Sequence, residues 1–164
     1  MKPSHILSID PGVHGALCLL NLSDRSIQVF DIPILKSQVD GVQLAALIDM
    51  CKVQAANLCA VVENVNGRPG QGHVFAFGLA TGKIHGILDS LGIFYETVAP
   101  AQWKPAMGLR RLANESQSQN KARARTLAAK LWPRNAADFE RVKNHDRAEA
   151  ALLGRFYAAK KGWL

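Results

Sequence analysis

Cysteine is scarce in this 164-residue chain, with only Cys18, Cys51 and Cys59. The number is odd and no spacing suits a metal-ligand pair. Each lies in an apolar run, so the three read as reduced core residues rather than a disulfide scaffold. No apolar stretch reaches the ~18 residues of a membrane span, and Met1-Lys-Pro-Ser-His5 enters a strand pattern with no leader before it. The expectation is a cytoplasmic protein with no membrane partner. Internal repeats and low-complexity tracts are lacking too, which excludes solenoids and biased tails. Acidic side chains are in deficit: 13 against 20 Lys and Arg, a formal net charge of +7. In one small chain that imbalance favours a polyanionic partner, nucleic acid above all. The 48% hydrophobic content suits a globular protein, and the length suffices for a single domain, 1–164, with a real core.

The informative stretch runs from Ile6 to Leu20. Apolar residues lead to Asp10, Pro11-Gly12 turns the chain, and a second apolar run follows from Gly15. So little polar content indicates a strand covered on both faces, and two such runs around a short turn indicate a hairpin. A carboxylate at the end of a buried strand is costly unless it is hydrogen-bonded, paired or bound to a cation. Residues 5–10, 15–22 and 27–30 therefore read as three antiparallel strands. From Asp40 the period changes: Val42, Leu44, Ala45, Leu47, Ile48 and Cys51 predict a helix over 41–56. Leu58-Cys-Ala-Val-Val-Glu63 is another apolar run ending in a carboxylate. Strand, helix and buried strand make a crossover, hence parallel pairing. Asp10 and Glu63 then both lie at carboxyl ends of strands, where open α/β sheets place their ligands.

Asn64–Gly72 is a long Gly-rich loop directly after Glu63, and its length exceeds a plain connector. Residues 73–91 read as a helix with Gly78, Gly82 and Gly86 on one face. That spacing permits close approach of a helix or a nucleic-acid backbone, of which helix packing is the commoner use. Residues 93–98 form a fifth strand and Pro100 opens a helix. Residues 108–119, with Arg110 and Arg111, read as a mobile loop. Asn120 is read as the cap of a helix over 121–132 with a basic outer face, either solvated or turned to DNA. In the last helix, capped by Asn144, Asp146 and Glu149 are three apart and share one side. Alone, they would only favour the helix dipole. Together the four carboxylates Asp10, Glu63, Asp146 and Glu149 would repel one another unless cations bind. Oxygen ligands suit Mg²⁺ or Mn²⁺, and two such ions can clamp a phosphodiester.

In this arrangement the chain resembles the RuvC-type Holliday junction resolvases, within the RNase H-like nucleases. The resemblance is carried by Ile9-Asp-Pro-Gly12, Val61-Val-Glu-Asn-Val65, the segment around Phe77-Gly78, Pro100-Ala-Gln-Trp-Lys104, Lys121 and His145-Asp-Arg-Ala-Glu-Ala150. The loop Arg68-Pro-Gly-Gln-Gly72 is similar to phage and plasmid members. The resemblance implies an α/β RNase H-like fold: a five-stranded mixed sheet, three antiparallel strands then parallel ones, flanked by helices. It implies a bacterial or phage- or plasmid-encoded homodimer that binds branched DNA and nicks opposite strands of a four-way junction. Asp10, Glu63, Asp146 and Glu149 would be catalytic and hold two Mg²⁺ ions, with Mn²⁺ as substitute. Lys104 and Lys121 match basic positions that contact DNA or sit near the scissile phosphate. The further DNA-binding candidates are Arg68, Gln71, Lys83, Arg110, Arg111 and Arg125. His145 is either a proton shuttle or a surface or capping histidine.

The chain also departs from the family. Glu149 stands where an Asp is usual. Asn66 stands where the bacterial enzymes carry an aromatic residue that disturbs the junction centre; Phe75 is a substitute or, by the commoner reading, a core residue. Three other readings compete. One is an RNase H-like nuclease for other branched DNA or RNA–DNA hybrids. A second is an inactive DNA-binding scaffold, against which the four carboxylates argue. The third is an actin-type ATPase, for which 164 residues lack a second lobe.

Overall fold

The protein is described here from a computed structural model that covers residues 2–64 and 74–164. The chain begins with strands β1 (His5–Asp10), β2 (Ala16–Asn21) and β3 (Ile27–Asp31). A two-residue hairpin, β4 (Ile34–Leu35) with β5 (Gln38–Val39), comes next. Helix α1 (Gly41–Gln54) leads to β6 (Leu58–Glu63), α2 (Val74–Ser90) to β7 (Tyr95–Val98). Helices α3 (Pro100–Ala106), α4 (Gln117–Leu131) and α5 (His145–Lys160) complete the chain, with 3-10 turns over Pro133–Phe139 and Val142–Asn144.

The main sheet has the order β3-β2-β1-β6-β7. β1–β2 and β2–β3 are antiparallel, whereas β1–β6 and β6–β7 are parallel. This is the five-stranded mixed sheet expected from the sequence. Strand residues alternate between faces. Leu7, Ile9, Leu17 and Leu19 pack with Leu44, Ile48, Ala80, Ile84 and Leu88 of α1 and α2. Ile6, Cys18, Leu20 and Val61 pack with Trp103, Ala124, Ala128, Leu152, Leu153 and Tyr157 of α3, α4 and α5. Both faces are covered, which is why the strands tolerate unbroken apolar runs. Each fully buried Leu or Ile contributes roughly 1.5–3 kcal/mol. The cysteines are free and buried, as read from the sequence.

Two close approaches set the positions that matter later. At Gly15 an added Cβ would sit 2.1 Å from the Asp10 carbonyl oxygen, so only glycine permits the tight return from β1 to β2. At Gly154 an added Cβ would sit 2.6 Å from Ser8 Oγ and 3.2 Å from Ser8 Cβ. There α5 rests directly on β1, and buried Ser8 donates to the Ala150 carbonyl at 2.7 Å.

Several local expectations need correction. The segment expected to be a mobile loop over 108–119 is tied down. Buried Glu115 accepts from the Leu112 amide (3.1 Å), Asn120 Nδ2 (3.1 Å) and Arg123 (2.7 Å). Arg123 also reaches the Gly108 carbonyl. α4 starts at Gln117, not Lys121, and Ser116 caps it by accepting from the Gln119 amide. Asn120 is instead spent on the Leu109 carbonyl and Glu115. Asn144 precedes α5 but makes no capping bond through its side chain. Phe75 is not a core residue: it is 83% exposed. Gly78, Gly82 and Gly86 do not serve packing within the described residues, since a Cβ at any of them would meet nothing within 4 Å. The β4–β5 hairpin was not read from the sequence. Its turn places Lys36 and Ser37 at positive φ, 49° and 63°, where glycine or asparagine would have signalled it.

Candidate active site

Asp10 and Glu63 end adjacent parallel strands. The register pairs Ile9 with Val62, so the two carboxylates are next-neighbours at the same sheet end. Alternation points both toward α5, the side also taken by Ser8 and Val61. α5 starts at that end, and its first turns carry Asp146 and Glu149.

Electrostatics show the convergence. The Asp10 carboxyl is held well above the usual aspartate range, first by burial, then by the charges of Glu63, Glu149 and Asp146. Glu63 is also raised, mainly by burial, with Lys104 and a Trp103 hydrogen bond opposing and Glu149 and Asp146 adding. Among the described residues, however, no three His, Cys, Asp or Glu side chains close into a ready-made metal cluster. Two of the carboxylates are held by donors, and a third lies against a histidine. Trp103 Nε1 donates to Glu63 Oε1 at 2.8 Å. Lys104 Nζ donates to Glu149 Oε2 at 2.7 Å. His145 Nε2 lies 2.9 Å from Asp146 Oδ1. The donor set is all oxygen and acts on itself repulsively, which is the chemistry that a hard divalent cation relieves.

Lys104 is the basic residue embedded among these groups. Burial works to lower its pKa, but Glu149, then Glu63 and Asp10, outweigh it and raise the value. Its ammonium lies 5.3 Å from the Trp103 ring centre. Lys121 Nζ lies 2.6 Å from His145 Nε2. That nitrogen can accept from Lys121 in the tautomer protonated on Nδ1, or donate to Asp146 when it carries the proton itself. The Asp146 hydrogen bond is the main cause that raises the His145 pKa.

The remaining basic candidates lie elsewhere. Lys83 is on α2, across the sheet from α5, and donates to the Val39 carbonyl at 2.9 Å. Arg125 donates to the Glu140 carbonyl at 2.7 Å, so it braces the 3-10 turn. Arg110 is exposed, and Arg111 donates through Nε to the Glu115 carbonyl. With Arg123 on Glu115 as well, much of the basic face of α4 is engaged within the chain. Arg68, Gln71 and Asn66 lie outside the described residues. Trp103 is a partner of Glu63 that the sequence does not announce. A tryptophan beside a lysine at the start of a helix was the available signal, but nothing local tells where its N–H points.

No family model matches the chain, and no curated protein matches it. Solved structures do. Thermus thermophilus RuvC in complex with Holliday junction substrate aligns with a TM-score of 0.64 at 14% identity, over 96% of both chains. The yeast mitochondrial Holliday junction resolvase Ydc2 aligns with a TM-score of 0.61 at 14% identity, over 98% of this chain and 80% of that one. In fold, along nearly its whole length, the chain is similar to RuvC and Ydc2, as the RNase H-like reading of its sequence implied.

Proposed function

We propose that this chain is a divalent-metal-dependent endodeoxyribonuclease that resolves four-way DNA junctions as a homodimer, by paired symmetric nicks leaving 5′-phosphate and 3′-hydroxyl ends. The observation that carries the reading is that β1 and β6 end on Asp10 and Glu63 at the sheet end where α5 begins with Asp146 and Glu149. The shared fold with two Holliday junction resolvases supports it, as does the net charge of +7.

Asp10, Glu63, Asp146 and Glu149 are the residues that would hold two Mg²⁺ ions. When bound, these supply Lewis-acid stabilisation of charge on the phosphodiester oxygens. The chain supplies the rest. β1 and β6 hold Asp10 and Glu63 on rigid strand ends. Lys104 places a positive charge among the carboxylates, where it would pair with a phosphate oxygen if Glu149 held an ion instead. Lys121 brings a second cation to the same edge. His145 Nε2, between Lys121 and Asp146, is placed to accept or return a proton at the site margin. Arg110 and Arg111, in the exposed segment before α4, are offered as backbone contacts. The glycine face of α2, with exposed Phe75 and Leu79, is the dimer surface we favour.

The test is incubation with end-labelled four-way junction, fork, flap, RNA–DNA hybrid and linear duplex, each with Mg²⁺, Mn²⁺ or EDTA. Paired nicks on opposite strands of the junction, lost in EDTA, are expected. Cleavage of forks, flaps or hybrids in preference to junctions would reassign the substrate. Cleavage in EDTA would reject the metal assignment.

A further inference from the structure

We propose that Trp103 is a positioning residue whose indole N–H orients the Glu63 carboxylate for cation binding. The inference rests on the reading of Glu63 as a metal ligand.

Trp103 is fully buried in the core between the sheet and helices α3 to α5. If its task were only to fill space, the ring would suffice. Its one polar atom instead meets Glu63 Oε1 at 2.8 Å, in surroundings where Glu63 itself is 4% exposed. An indole nitrogen donates and cannot accept or bind a metal. It therefore engages one carboxylate oxygen, Oε1, restricts the rotamer, and leaves Oε2 for a cation. A donor of this kind is how an outer partner sets the direction of a ligating carboxylate. The same ring lies under the Lys104 ammonium, which is bonded to Glu149. One side chain thus touches both a strand-borne carboxylate and the lysine that holds a helix-borne one. α3 delivers it there because Pro100 starts the helix directly after β7, the strand beside β6.

The role is tested by metal binding, without reference to cleavage. Mn²⁺ affinity is read from the spin-resonance signal of the free ion for the wild type, Asp10→Asn and Trp103→Phe, together with melting temperatures. Phe keeps the ring and removes the donor. Folded Trp103→Phe is expected to bind Mn²⁺ roughly 10-fold more weakly, and Asp10→Asn to lose the tight site. Wild-type affinity in folded Trp103→Phe would overturn the positioning role and leave the carboxylate site standing. If the wild type binds no Mn²⁺, or Asp10→Asn binds as well as it does, the metal reading fails and the positioning role falls with it. Should Trp103→Phe fail to fold, a second measurement decides. The double variant Trp132→Phe, Trp163→Phe leaves Trp103 as the one indole of three. Mg²⁺ is expected to shift its emission, and Glu63→Gln to abolish that shift. Emission indifferent to Mg²⁺ at concentrations that displace bound Mn²⁺ overturns the proposal.

Discussion

At the scale of single residues, Asp10 sets the terms. A buried carboxyl with a raised pKa binds its proton more tightly folded than unfolded. Stability therefore falls as pH rises from the ordinary aspartate value of about 3.9 through the raised one. Asp10→Asn removes that penalty. In EDTA its melting temperature is expected to exceed that of the wild type at neutral pH, with the gain vanishing as pH drops toward about 4. A variant no more stable at pH 7 would contradict the burial and repulsion described for this site. The same variant is expected to lose more than about 100-fold in junction cleavage, since a direct ligand should matter more than the outer partners whose loss costs 10–100-fold. Junction binding, read by gel shift, should persist, because on this proposal the lost group would touch cations rather than the DNA backbone. Wild-type cleavage by Asp10→Asn would sink the metal assignment.

At the scale of elements, the position of α5 decides whether its two acids reach the strand ends. The helix approaches β1 only because Gly154 has no side chain opposite Ser8. Gly154→Ala is expected to destabilise the protein by about 1–3 kcal/mol through overpacking, read by urea unfolding. Combining it with Ser8→Ala should recover part of the loss, because the hydroxyl it strikes is gone, although the bond to Ala150 goes too. Additive losses would mean that the contact is not limiting. α4 depends on Glu115. Burial works to raise its pKa, but the Leu112 amide, Arg123 and Asn120 outweigh it and hold the value below the usual glutamate range. Such a group stabilises above its unfolded pKa, and the benefit is lost as pH falls through the folded one. Glu115→Gln should thus lower the melting temperature at pH 7 and differ less and less from the wild type below about pH 4.

At the scale of the whole molecule, the proposed associations turn on charge and on the α2 face that is bare among the described residues. Junction affinity is expected to fall steeply with salt. A protein that makes 6–10 phosphate contacts loses about 10³–10⁵ in affinity between 50 and 200 mM salt. A flat salt dependence in fluorescence anisotropy would remove the electrostatic argument. On α2, Gly82→Ala meets open space and should stabilise the monomer fold by roughly 0.5–1 kcal/mol through helix propensity. Gly82→Leu should keep the fold and weaken self-association in sedimentation. Unchanged self-association in Gly82→Leu would move the dimer surface away from this face.

The strands, the crossover and the placement of Asp10 and Glu63 were legible in the sequence because burial on both faces leaves a mark in every residue: an apolar run that stops at a carboxylate. Asp146 and Glu149 were legible as a pair through helical spacing. Other features depended on contacts between residues far apart in the chain. The Glu115 network turns a polar, aperiodic stretch into ordered chain, and no local pattern signals a buried glutamate with three donors. The basic face of α4 looked free because a lysine or arginine carries no sign of the carbonyl or carboxylate it will meet. Phe75 looked buried because hydrophobicity does not say which side of a helix the sheet will cover. The Trp103 bond to Glu63 spans 40 positions, and the Ser8 bond to Ala150 spans 142. Periodicity, which relates neighbours, determined the elements and their acids. The tertiary structure alone decided who holds those acids, because a hydrogen bond across the fold is set by packing.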